Sequence, residues 1–362
     1  MSSAKTGQVL AAIVPPTSCG ICNARNAKDG DRRLPRAVLG CLALTAMFGS
    51  IASAQTPAAT ILTVEMENVV QYQENYANQQ KNGTSTVMEA PISPGTFSPG
   101  YFIADIVTIN GTKSKGTTVA RNLFVNLNTN PTGSQAVADI NRFQPMEILL
   151  EIQQADGTSV GTIVLTGITG GAPPLGAPKS APTGNFAVIG GTGAFLGARG
   201  QAATIMNTQR ATSTYENPIN RRTFPAGLWK LAIQLIPLTT PEVVSTTAGP
   251  VIVHSDYSLV TAAKPARAGE VLTLFASGLG PTRPGVDPGQ PFTDSPAQIV
   301  TSPISVLVNG EAGAVLYSGG YPNSVDNFQV NFRVPADVAS GLASVQLSAA
   351  WVVGGAVKIP VQ

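Results

Sequence analysis

From Thr60 to the C-terminus, apolar and polar positions alternate with a period of two and are interrupted at short intervals by Gly, Pro and Asn. That is the pattern of half-buried β-strands. Residues 101–109 place Tyr101, Ile103, Asp105, Val107 and Ile109 on one face and Phe102, Ala104, Ile106 and Thr108 on the other. Both faces are mostly apolar, so the strand is expected to be covered on both sides, as in a closed barrel packed against a further element. Asn110-Gly111 is a turn dipeptide, and the polar run 113–116 extends it into a longer expected loop before a strand over 117–126. Residues 146–153 set Ile148, Leu150 and Ile152 against Glu147, Leu149, Glu151 and Gln153, and Asp156-Gly157 turns the chain into a strand over 160–168. Beyond residue 54 no stretch sustains helical spacing, so the expected fold class is all-β. The Thr- and Pro-rich stretch 237–250 divides the chain, and the loop 170–184, with four prolines, is expected to cover an opening.

The first 54 residues read differently. Arg32, Arg33 and Arg36 precede an apolar run over 37–51, and Ala52-Ser53-Ala54 follows before Gln55. These are the three parts of a secretory signal. The run is interrupted by Gly40, Thr45, Gly49 and Ser50, whereas a stable span wants about 18 continuous apolar residues. An uncleaved anchor is the alternative. The expected organisation is an extension and signal over 1–54, a first module over 55–240 and a second over 241–362, with export to the surface, the periplasm or the medium.

Composition and charge narrow the classes further. The chain carries 37 Gly and 28 Pro but only 12% charged residues, which excludes a coiled coil and a charge-driven disordered protein. A formal charge of +2 leaves no basic face for nucleic acid. Cleavage after Ala54 would leave 16 basic and 18 acidic residues, reversing the sign to −2, and would remove Cys19, Cys22 and Cys41, all the cysteine there is. Cys19 and Cys22 have a redox or zinc spacing, but no second pair or histidine accompanies them. His254, the one histidine, is expected in a turn or at the surface.

Residues 186–203, FAVIGGTGAFLGARGQAA, are the most specific local text. Glycines after an apolar strand are one way to bring a pyrophosphate to a helix N-terminus, but the spacing is one residue too long and the following 201–213 is not helix-patterned. The alternative is a tight strand connection, in which Gly190, Gly191, Thr192, Gly193, Phe195 and Gly200 have a structural role. In this segment, and more loosely over 60–238, the chain resembles the dirigent and allene oxide cyclase group. The resemblance implies an eight-stranded antiparallel β-barrel that holds an apolar small molecule without metal, nucleotide or other cofactor. It further implies ring closure or guided radical coupling, Arg199 as a pocket residue, and homo-oligomers. Where family members often carry a polar residue before the Phe, this chain has Ala194.

Asp105, Tyr101 and Arg121 lie on the early strands, where such barrels place polar groups in the lumen, and with Arg199 they complete the candidate catalytic set. A carboxylate in apolar surroundings has a raised pKa and can donate a proton. Asp105 paired with an arginine would instead be inert. Glu147 and Glu151 share a face and read as solvated. Residues 251–362 resemble a family of uncharacterised C-terminal domains of secreted acidobacterial proteins, through Pro265-Ala266, Gly269-Glu270, LFASGLGP at 274–281, the turn 319–322, Gln329-Val330-Asn331 and Val334-Pro335. The resemblance implies an immunoglobulin-like β-sandwich; alternation in 271–275 and the Asn309-Gly310 turn agree with it. Trp351 is expected in its core. Two function classes follow: a barrel that binds an apolar ligand, at most a cofactor-independent cyclase or coupling guide, and a structural or adhesive surface protein that makes envelope or protein contacts through its second module. Mass spectrometry of the exported protein is expected to find Gln55 as the first residue and no thiol; a chain retaining residues 1–54 would contradict the signal reading.

Overall fold

The computed structural model describes residues 60–73, 97–126, 142–143, 145–169, 172–224 and 227–362. The signal motif and the three cysteines lie outside the described residues. The described part contains no α-helix. Its first half is built from eight long strands: β1 (Thr60–Gln73), β2 (Phe97–Ile109), β3 (Thr112–Asn126), β4 (Pro145–Gln154), β5 (Ser159–Ile168), β6 (Thr183–Gly193), β7 (Arg199–Asn207) and β8 (Gly227–Ile236). Each pairs antiparallel with the next, and β8 returns to β1 with Thr60 opposite Leu235 and Met66 opposite Trp229. The result is a closed eight-stranded barrel.

Period-two alternation does the sorting. In β4 the inward Met146, Ile148, Leu150 and Ile152 are buried while Glu147, Leu149 and Glu151 face out. Leu62, Val64, Phe102, Ile163, Phe186, Trp229 and Leu231 arrive from other strands to make one continuous core. A lumen wide enough for a ligand would leave such side chains facing a void; instead Leu62, Ile148, Leu150, Ile163 and Leu231 are at 0% exposure. The barrel is therefore filled along its middle, like other small barrels.

The two ends of the barrel differ. At one end Asn110-Gly111 joins β2 to β3, residues 155–158 join β4 to β5, and 194–198 join β6 to β7. Asn110 (φ 51) and Gly111 (φ 75) form the whole first turn, so the longer loop expected at 113–116 is strand instead. At the other end the connections are 74–96, 127–144, 169–182 and 208–226. The described part of the third, 172–182, does not cover an opening. It runs along the outer wall, where Gln201 Nε2 donates to Leu175 O at 3.0 Å and Gln234 Nε2 to Gly176 O at 2.9 Å.

The second half is a ten-stranded antiparallel sheet, seven strands in continuous order and three short ones paired onto them, that folds over on itself. Glu242–Val243 forms its first edge, so the stretch 237–250 is not a plain linker but already contributes strand. Then come β9 (Val271–Ser277), β10 (Ile304–Val308), β11 (Glu311–Gly320), β12 (Phe328–Arg333), β13 (Gly341–Ala349) and β14 (Val352–Val361). β11 is the corner, pairing with β10 through Glu311–Gly313 and with β12 from Ala314 onward. Leu272, Leu274, Val306, Phe328, Phe332, Val345 and Leu347 fill the space enclosed. His254 is not at the surface. It is buried, with Nδ1 2.6 Å from Glu270 Oε1 and Nε2 3.2 Å from Lys264 O. Trp351 is not in this core either: with Ala350 it makes the β13–β14 turn, at φ 62 and 50, and packs against the barrel core.

Adjacent residues of β4 test the inward assignment. Leu150→Ala is expected to cost about 2–5 kcal/mol by urea unfolding, because it leaves a void in a filled core, and Leu149→Ala less than about 0.5 kcal/mol.

Candidate functional site

The end of the barrel with the long connections carries a cleft of about 310 Å³. It is lined where β2 and β4 begin and β3 and β5 end, by Tyr101, Arg121, Asn122, Met146, Glu147 and Gly167 among others. Strand register explains the grouping. Tyr101 lies opposite Arg121, Arg121 opposite Glu147 and Glu147 opposite Thr166, so one outward row crosses four strands. Asn122 and Met146 are the inward neighbours of that row, both buried, and the cleft thus straddles the rim. Arg121 Nε donates to Glu147 Oε2 at 2.7 Å, and Nη2 lies at the same distance. With the two side chains 70% and 56% exposed, such a pair contributes about 0–1 kcal/mol. It orders the rim without anchoring the fold.

Of the candidate catalytic residues, the structure brings Tyr101 and Arg121 together and separates the other two from them. Arg199 sits at the short-turn end, exposed on the outer wall, where its Nη1 donates to Ile189 O at 2.7 Å and Ala198 O at 2.9 Å. It clips its own hairpin. Asp105 also faces outward, since its neighbours Ala104 and Ile106 are the buried, inward ones. None of Asp105, Tyr101, Arg121 and Arg199 points into the lumen as expected.

Asp105 is the centre of a cluster that sequence reading did not assemble. Residues 208–224 cross the outside of β1: Arg210–Ser213 pairs in parallel with Val70–Gln73, and a 3₁₀ turn over Pro218–Arg222 follows. The Asn217 side chain caps that turn by accepting from Ile219 N at 3.0 Å. Asp105 Oδ1 then accepts from Arg221 Nη2 at 2.6 Å and Arg222 Nη2 at 2.8 Å, and Oδ2 from Arg222 Nε and Asn68 Nδ2, both at 2.9 Å. Burial alone would raise the carboxyl pKa, as expected for an acid among Ile103 and Val107. The hydrogen bonds from Arg222, Arg221 and Asn68, with the Arg221 charge, outweigh it and hold the group at about 2. Asp105 is therefore ionised at neutral pH and has no proton to give.

The same strap carries a second pair. Glu216 accepts both terminal nitrogens of Arg210 and the Thr212 hydroxyl, and these bonds hold its pKa at about 2. Arg210 lies over the Phe224 ring at 5.6 Å. Beneath the strap Tyr72 is 4% exposed and its hydroxyl has no hydrogen-bond partner among the described residues. Burial first, and the Glu216 charge second, push that phenol up, against Arg221 and Arg210. In the sequence, the only trace of this cluster is a lone Asp on an apolar strand, which needs a partner; nothing local says that the partners stand more than a hundred residues later.

The glycine segment is a hairpin. Gly193 (φ 63) ends β6, Ala194 N donates to Val160 O at 3.0 Å, and the Phe195 side chain turns into the barrel core at 1% exposure. β7 then returns antiparallel to β6, and a Cβ on Gly200 would stand 1.9 Å from Gln234 O. No helix follows, so the pyrophosphate reading is excluded. Among the described residues no three His, Cys, Asp or Glu side chains converge on a metal-sized site. Comparison with protein-family models, with curated proteins and with solved structures finds no match.

The Asp105 cluster generates a pH prediction. A carboxyl held at about 2 instead of the ordinary 3.8 contributes stability that is fully present above about pH 4 and is lost as pH falls toward 2. Asp105→Asn, which leaves buried Arg221 without its counter-charge, is expected to cost on the order of 2–3 kcal/mol at pH 7. The difference between variant and parent in urea unfolding should shrink between pH 4 and pH 2; a gap independent of pH would contradict the assignment.

Proposed function

We propose that this is an exported two-module protein whose barrel, of the dirigent and allene oxide cyclase kind, binds an apolar small molecule at its long-connection end. The observation that supports it is the cleft at the rim. The strand connections on that side of the barrel are the longer ones in sequence, and long connections are where binding groups are carried on a rigid scaffold. Tyr101, Met146 and Gly167 offer apolar surface there, and Arg121 and Glu147 a polar edge, the usual mixture of a small-molecule site. The ligand sits on the rim and not in the lumen, whose middle is filled. The reading stops at recognition: Asp105 is ionised, Arg199 stands at the opposite end, and a bare Tyr–Arg–Glu row holds no nucleophile with its base.

A second reading, a non-catalytic structural or adhesive protein of two β modules, is favoured by the filled lumen. Ligand-detected NMR of the protein with a panel of fatty acids, fatty-acid epoxides and phenols separates the two. Binding by one class is expected, weakened about tenfold or more by Arg121→Ala or Tyr101→Ala, with Arg199→Ala leaving it unchanged. Silence from every class would leave the structural reading.

A further inference from the structure

A second cavity, of about 380 Å³, lies where the glycine hairpin of the barrel meets the folded sheet, and it is independent of the rim cleft. Its walls mix apolar and polar surface: Leu196 and Leu238 stand on the barrel side, Leu279 and Val352 on the other, with Thr239, Ser302 and Asp326 between them. Leu196 is 64% and Leu238 68% exposed, large apolar side chains left in water on the rim of a concave site. Among the described residues Asp326 is the only ionisable side chain lining it. Its backbone is held in the left-handed region at φ 48, uncommon for a residue other than glycine. The one hydrogen bond it accepts, from Gly278 N at 3.4 Å, is longer than an ordinary one. At the inner wall Ser302 is 3% exposed, and its Oγ has no partner among the described residues. Gly280 stands against it; a Cβ there would come within 2.9 Å of that oxygen.

A partly apolar cavity with one under-used carboxylate and no cation among its lining residues has a definite preference. Hydrocarbon is favoured by the apolar part of the walls, negative charge is repelled by the carboxylate, and a positive charge gains a partner in Asp326, which is itself exposed. We infer that this junction binds a cationic amphiphile, a protonated amine on an apolar chain or ring, with the ammonium against Asp326 and the apolar body between Leu196, Leu238 and Leu279. An ammonium has three donors, so the carboxylate and an acceptor on the inner wall can be served together.

Calorimetric titration of the full chain with octylamine, octanol and octanoate at pH 7 tests this. Octylamine is expected to bind saturably at one site, about tenfold more tightly than octanol, with octanoate weakest. Asp326→Asn should erase the preference of amine over alcohol while octanol binding persists. Leu196→Ser, an exposed position whose loss the fold should tolerate, should weaken amine and alcohol alike. The inference is overturned if no chain binds saturably, if amine and alcohol bind equally to the parent protein, or if the amine preference survives in Asp326→Asn.

Discussion

The barrel does not complete its own interior. Eight strands supply the wall and most of the filling, but Ala350 and Val352, from the turn between the last two strands of the chain, join the same continuous core, with Ala194 and Trp351 packed against it. Gln154 at the end of β4 adds a bond to Thr301 O at 2.7 Å. A barrel's end is where its inward side chains would otherwise meet water, and here the folded sheet excludes it. Burial at this seam requires both halves of the chain, so the stability of either half depends on the other.

That constraint gives the molecule a direction. With the short-turn end packed against the folded sheet, the other end is the one at which the rim of the barrel stands clear of the second half of the chain. The polar groups follow the same division. Arg121 and Glu147 at the rim pair in water and cost little to separate. Asp105 pairs with Arg221 and Arg222 and ties the 208–224 segment to β2, while Arg210 and Glu216 pair within that segment. Ion pairs of the first kind cost little to rearrange, and those of the second kind hold a segment in place.

How much of this was legible depended on range. Alternation in 146–153 gave β4 and its inward face, because which side of a strand is apolar is a local property. Asn309-Gly310 marked its hairpin, and Asn110-Gly111 marked its own although the polar Lys113 and Lys115 after it read as loop: an outward-facing strand position takes charge as readily as a loop does. The apolar run around Asp105 left two outcomes open, a raised pKa or an arginine partner, and the second is what the structure shows; which arginine was not legible, since Arg221 and Arg222 reach it from over a hundred residues away. The lumen assignment of the polar groups failed for a related reason. Period two says that Tyr101 and Asp105 share a face; when both faces of a strand are mostly apolar it does not say which is inside, and the filled interior left no room for them.

The glycine segment shows why specific text and functional position need not coincide. Residues 186–203 stand out because a tight hairpin, a buried Phe195 and the close approach of β7 to β8 at Gly200 each demand particular residues. Those demands are steric, and they arise at the end of the barrel that the folded sheet seals. The rim, by contrast, is made of residues that a strand tolerates in many forms, a tyrosine, an arginine and a glutamate in outward positions, so nothing in their spacing draws notice. A reading that ranks segments by how unusual they look is therefore led to the seam, and only the register that aligns Tyr101, Arg121 and Glu147 across neighbouring strands makes the open end visible.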